Sequence, residues 1–257
     1  MGVLRSLVSL IAAAAAVSAS PIERRAPIDS DKVVGFAETV PSGTTGSVYL
    51  AYKPYLKVVN GCVPFPAVNA AGDTNAGLNP TGASNGGCSS STGQVYVRGT
   101  TSNGYYGLMY SWYAPLTGSR AIKDRLTLCT RYMPKDSPSD GLGHRHEWEG
   151  VIVWLKSATS TAASNIAAVC PSAHGEWNCA TSGYTLSGTK PLIEYKSTWP
   201  VNHQMGLTTA VGGTQPLIAW ESLPTAARDA LQTVDFGAAT VPFKDSTFSG
   251  NLAAATF

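Results

Sequence analysis

Five ionisable side chains fall within seven residues at Gly143 to Glu149, Gly-His-Arg-His-Glu-Trp-Glu, in a chain in which only 13% of residues are charged. Asp136 lies upstream of His144, across a Pro- and Gly-rich stretch that must turn and can fold its carboxylate back beside the imidazole. A strand beginning near Glu147 puts Glu147 and Glu149 on one face, because strand side chains alternate with period two. Asp136, His144, Glu147 and Glu149 can then surround one point. Three carboxylates gathered there repel one another, and protonating them requires large pKa shifts. A divalent cation relieves the repulsion more readily. Such a donor set suits a hard ion, Mg²⁺ or Ca²⁺, or Mn²⁺ where an imidazole joins the carboxylates. Zinc is less favoured: its structural sites use more Cys or His, and the His-Glu-x-x-His spacing fails at Gly150. The same residues also fit a surface salt-bridge cluster in which Arg145 neutralises its neighbours, and spacing alone leaves both readings open. His146, across the strand from Glu147, supports the loop or the core.

The elements that must position these groups read mainly as β. Segments 47–52, 93–99, 105–113, 149–155, 191–195 and 216–220 are short, β-branched and aromatic, and Gly, Pro, Ser and Asn separate them. Without βα alternation, they predict an antiparallel sandwich. A helix is expected over residues 223–237, with Pro224 in its first turn, Ala227, Leu231 and Val234 on one stripe and Gly237 as a stop. A second is expected near residues 29–40, and the Ser/Gly cluster at 83–92 reads as a loop.

At 257 residues with 44% hydrophobic residues, the chain is long enough for one sizeable core. A net charge of +2, with scattered basic residues, argues against nucleic-acid binding. Residues 1–19 read as a signal peptide: Arg5, then an apolar run too short to span a bilayer, then small residues. Arg24-Arg25 closes a segment, 20–25, that fits either a short propeptide or an ordinary flexible start, and 26–257 reads as one secreted domain. Five cysteines suit an oxidising compartment. Cys62 and Cys88 flank a loop-like segment and Cys170 and Cys179 form a plausible second pair, leaving Cys129 over; sequence does not fix the connectivity.

The heptapeptide resembles the Gly-His-Arg-His-Asp-Trp-Glu motif of the necrosis- and ethylene-inducing-peptide-1-like proteins, secreted cytolytic toxins of plant pathogens. Segments 106–113, 133–149, 172–175 (with His174), 215–231 and 241–248 are similar to further family segments, in order. The resemblance implies two antiparallel sheets with flanking helices, as in actinoporins and fungal lectins. It implies a divalent cation held directly or through water by Asp136, His144, Glu147 and Glu149, with His203 near it. Trp199 resembles a family tryptophan that faces the target membrane. The implied target is the sugar head group of plant glycosylinositol phosphorylceramides, reached by a monomer that disrupts membranes without enzymatic cleavage. Cys62–Cys88 matches the family's single-disulfide class.

Three departures stand out. Glu147 replaces the motif's Asp, moving a carboxylate outward by one methylene. Asn202 replaces an Asp that commonly precedes the histidine. Residues 114–132, which carry Cys129, interrupt otherwise similar sequence; a retained intron and a surface loop both fit, and sequencing the transcript separates them. The block also splits the segment that plant immune receptors recognise in this family. Beside the toxin reading stand a non-toxic lectin-like protein and a metal-dependent carbohydrate hydrolase. The hydrolase reading lacks a nucleophile or cleft legible in the sequence.

Overall fold

The computed structural model describes residues 26–78, 87–115, 145–198, 202–237 and 239–257. The expected signal peptide and propeptide, Cys129, and all but two residues of the 114–132 block lie outside them. The chain is mainly β, with strands β1 (Tyr55–Val58), β2 (Val95–Ser102), β3 (Tyr105–Pro115), β4 (His146–Leu155) and β5 (Ile166–Ala173). Then come β6 (Glu176–Trp177), β7 (Leu186–Ser187), β8 (Lys190–Thr198), β9 (Asn202–Leu207) and β10 (Leu217–Ala219). Among the described residues three α-helices accompany them: α1 (Thr44–Ala51), α2 (Thr225–Thr233) and α3 (Asp245–Ala254).

The two separate sheets of the expectation are instead parts of one curled ten-stranded sheet, ordered β1-β8-β9-β5-β4-β3-β2-β10, with β6 and β7 paired to β5 and β8. β5 joins the halves. Its first part pairs with β4 up to Val151–Pro171, and its end pairs with β9 at Ala173–Gln204 and with β6. Pro171 has no N–H to continue the ladder toward β4, which is where the strands part. Nor is the sheet wholly antiparallel, since β1 runs parallel to β8 and β10 parallel to β2 at its two margins.

Both faces are covered. Val48, Tyr49 and Tyr52 pack on one face, against Val97, Leu108 and Val153. On the other, Leu231, Phe248 and Leu252 from α2 and α3 meet Met109, Ile152 and Trp154. That is why β4 is apolar without alternation from Val151 to Leu155: its odd and even side chains are buried in different layers.

Four expectations need correction. Residues 47–51 are helical, not extended, with Tyr52 as the C-cap. Val48, Tyr49 and Tyr52 are buried at three- and four-residue spacing, and Tyr52 N donates to Val48 O at 3.3 Å. No helix forms at 29–40 beyond a single 3₁₀ turn at Ser30–Lys32. There the backbone is drawn into outside partners: Phe36 N donates to Gln94 Oε1 at 2.7 Å and Thr39 N to Leu217 O at 2.7 Å. In α2, Pro224 is the N-cap rather than a first-turn residue. That helix also ends at Thr233, with Val234 as an extended C-cap, before Gly237 (φ 69°).

Both disulfide pairings form, Cys62–Cys88 and Cys170–Cys179. The first closes a span of 26 residues between half-cystines that are 2% and 1% exposed. Replacing both of its cysteines by alanine is expected to cost about 3 kcal/mol of stability. A urea midpoint unchanged by that double replacement would show that the loop contributes no constraint.

Candidate functional site

β4 begins where β3, β5 and β8 end and where β9 begins, so antiparallel alternation gathers these termini at one end of the sheet. Glu147 and Glu149 are the second and fourth residues of β4 and are 5% and 6% exposed. The period-two expectation for this pair is met. Before Val151 the strand has no ladder to β5, and a side chain takes the ladder's place. Gly150 N donates to Ser172 Oγ at 2.9 Å, and the Ser172 hydroxyl donates in turn to Glu149 Oε2. One serine therefore fixes both the strand edge and a carboxylate.

This parting of β4 and β5 opens a cleft of about 460 Å³. Glu147, Glu149 and Ser172 line it from the sheet, Glu176 and Trp177 from β6, and Thr240, Ser246 and Asn251 from the C-terminal segment. The β6 hairpin turns through His174 and Gly175, both at positive φ (51° and 77°). His174 is exposed and shares a 3.1 Å hydrogen bond with Gln204, the residue after His203 on β9.

Gly150 is required by crowding. A Cβ there would stand 2.8 Å from Tyr110 O, 3.1 Å from Ser111 Oγ and 3.6 Å from Trp177 Cη2. Gly150→Ala is expected to push β3 and β4 apart and to cost about 1–3 kcal/mol, read as a lowered urea midpoint. Stability equal to the parent would mean the strands separate there without penalty.

His146 and Trp148 are structural supports. The Tyr113 hydroxyl and His146 Nδ1 lie 2.7 Å apart, and the ring packs on Phe236 at 4.7 Å between centroids. Burial, and then the Arg145 charge, push the His146 pKa down to about 4, against the opposing pull of Asp235. Burial also raises the Tyr113 pKa well above its ordinary value. At neutral pH the ring is neutral and the phenol protonated, so Tyr113 donates and Nδ1 accepts. Trp148 is 7% exposed, edge-on to Phe243 at 5.2 Å and to Tyr96 at 5.4 Å. Arg145 is exposed just before β4.

Asp136, His144 and Trp199 lie outside the described residues. Asn202 and His203 are placed by their backbone alone, opposite Thr198 and Ser197 on β8. Among the described residues no group of three metal-ligating side chains converges. What those residues do supply, two buried carboxylates on one strand face, suits a hard cation in donor type. Ser172, Glu176, Trp177, Thr240 and Ser246 were missed as cleft residues. The one local hint was Glu176-Trp177 standing between paired cysteines.

The family model described as "Necrosis inducing protein (NPP1)" matches residues 46–125 and 119–255, two pieces that meet inside the 114–132 block. NLP effector protein 10 of Phytophthora capsici is 41% identical over 254 residues, 95% of this chain and 97% of the relative. The necrosis-inducing protein NPP1 of Phytophthora nicotianae is 42% identical over 240 residues, 91% of this chain and 92% of its own. A solved structure of NLPPya in complex with mannosamine superposes with a TM-score of 0.75 at 44% identity, covering 90% of this chain and 99% of that one. The fold and a match that runs nearly end to end agree, and the chain belongs to the necrosis-inducing protein family, alongside the NLP effectors.

Proposed function

We infer that the protein is a secreted, non-enzymatic cytolysin. In this reading Asp136, His144, Glu147 and Glu149, with His203 nearby, hold a divalent cation, Mg²⁺, Ca²⁺ or Mn²⁺. The cation's open positions bind hydroxyls of a plant sphingolipid head group. Trp199 enters the membrane interface, where indole is favoured. The observation that carries this reading is the buried pair Glu147 and Glu149 at the opened edge of β4, in a cleft large enough for a sugar. A relative of the same fold in complex with mannosamine supports a carbohydrate ligand.

A non-toxic lectin is the second reading, and Glu147 favours it. Its extra methylene, relative to Asp, shifts one oxygen by roughly a bond length, against metal–oxygen distances defined within tenths of an ångström. Vesicles containing glycosylinositol phosphorylceramide separate the two. Leakage that stops on adding chelator supports the cytolysin, and sugar binding without leakage supports the lectin. Release of glycan fragments would overturn both in favour of a hydrolase.

A further inference from the structure

The two disulfides differ in their surroundings. Cys62 and Cys88 are 2% and 1% exposed, and both belong to the core layer beneath α2 and α3. In the second pair the halves are unequal. Cys170 is fully buried opposite Ile152 of β4, whereas Cys179 is half-buried on the return segment of the β6 hairpin, next to the exposed Asn178. Of the four bridged cysteines, Cys179 alone is not buried. Thiol–disulfide exchange begins with attack of a thiolate on one sulfur, and access decides which sulfur is attacked.

The second bridge is also the one the fold can spare. It spans 9 residues against 26 for the first, so opening it releases less chain. Backbone hydrogen bonds brace the hairpin on either side of it. Val169 N donates to Ala180 O and Ala180 N to Val169 O, each at 3.0 Å, and Asn178 N donates to Pro171 O at 2.9 Å. Beyond them Ser172–Trp177 and Ala173–Glu176 pair β5 with β6. β5 itself is laddered to β4 through Ile152–Cys170 and Val153–Val169. These bonds keep the two cysteines facing each other when the covalent link is gone, so the bridge can close again. The turn has the most to gain from release: His174 is held at φ 51°, an uncommon conformation for a residue with a Cβ.

We propose that Cys170–Cys179 is a thiol-reversible latch on the β6 hairpin, worked by a low-molecular-weight thiol that enters at Cys179. The thiolate attacks Cys179 Sγ, the Sγ–Sγ bond breaks, and Cys170 leaves with the electron pair and takes up a proton. A second thiol then displaces Cys179 from the mixed disulfide. Two small thiols are thereby oxidised to one disulfide, and the protein gains two cysteine thiols. Where no second thiol arrives, Cys170 returns the attack and expels the first. Cys62–Cys88 has no accessible sulfur and stays closed. The latch sets how firmly the hairpin is held to the sheet, and it stands whether or not this end of the protein grips a lipid.

Incubation of the full-length protein with glutathione under native conditions, followed by alkylation and peptide mass mapping, tests it. Cys170 and Cys179 are expected to take the label at least roughly tenfold faster than Cys62 and Cys88. In the opened protein the amides of Asn178 and Ala180 exchange with deuterium roughly tenfold faster, while those of β4 keep their protection. The single variants locate the point of entry: in Cys170→Ala, Cys179 carries a glutathione adduct, and in Cys179→Ala, Cys170 stays unmodified. Failure of either bridge to open, opening of Cys62–Cys88 first or at the same rate, an adduct on Cys170 in Cys179→Ala, or loss of β4 protection on reduction overturns the latch. None of these measurements involves vesicle leakage, so the latch and the cytolysin reading fail separately.

Discussion

Glu149→Ala is expected to abolish cation-dependent leakage of sphingolipid vesicles while leaving a folded protein. The carboxylate is 6% exposed, lies on the strand face it shares with Glu147, and accepts the Ser172 hydroxyl. Losing it takes one anionic donor from the proposed cation shell, and second donors of this kind are not replaced by water at equal affinity. Two effects on stability oppose each other. The Ser172 bond to a charged acceptor is lost, worth about 2 kcal/mol. The repulsion between the neighbouring Glu147 and Glu149 carboxylates also falls, which acts in the opposite sense. The melting temperature is therefore expected to move by only a few degrees. Ser172→Ala is the control: it removes the bond but keeps the charge, and it retains measurable leakage. Leakage by Glu149→Ala at the parent's level would place the active group elsewhere.

The largest expected loss of stability is at Trp154. The ring is 1% exposed and lies across Gly107 of β3, where an added Cβ would come within 2.8 Å of Trp154 Cζ3 and 2.9 Å of Leu252 Cδ2. A glycine with a neighbouring aromatic lid is a way of filling a strand position that has no side chain of its own. Trp154 Nε1 also donates to Ala255 O at 3.1 Å, tying the residues after α3 to the sheet. Trp154→Ala empties that space beneath α3 and is expected to cost about 3–5 kcal/mol. That is a large part of the stability of an ordinary domain. Trp154→Phe keeps most of the volume and is expected to lose less than half as much. Equilibrium urea unfolding measures both, and a cost below about 1 kcal/mol for the alanine variant would contradict the packing described.

The sequence made some of this architecture legible and hid the rest for physical reasons. β2, β3, β4 and β8 were readable because their β-branched and aromatic residues are buried between layers, which is what strand propensity reports. The run Ser47–Tyr52 was misread because a short apolar segment fits a buried helix as well as a strand. β5 was missed: Ile-Ala-Ala-Val-Cys-Pro-Ser-Ala has few strand formers, and its strand state is imposed by β4 on one side and β9 on the other. α3 was missed because Asp-Ser-Thr-Phe-Ser-Gly-Asn-Leu-Ala-Ala shows only Phe248 and Leu252 as buried anchors. The acidic pair was legible from spacing alone, since period two needs only one strand. Its surroundings were not. Ser172, Trp177 and Thr240 reach the cleft beside Glu149 through chain topology, and no local pattern encodes which distant segments a curled sheet will bring together.

The serine at the seam has a thermodynamic corollary. A single hydroxyl both stitches the Gly150 amide to β5 and holds the Glu149 charge, so occupancy of the cleft and cohesion of the two sheet halves draw on one atom. Whatever neutralises Glu149 alters how strongly that hydroxyl is pulled away from the strand edge, and the loaded protein should resist heat differently from the empty one. Melting curves would then serve as a binding assay, one that responds to occupancy without any membrane present.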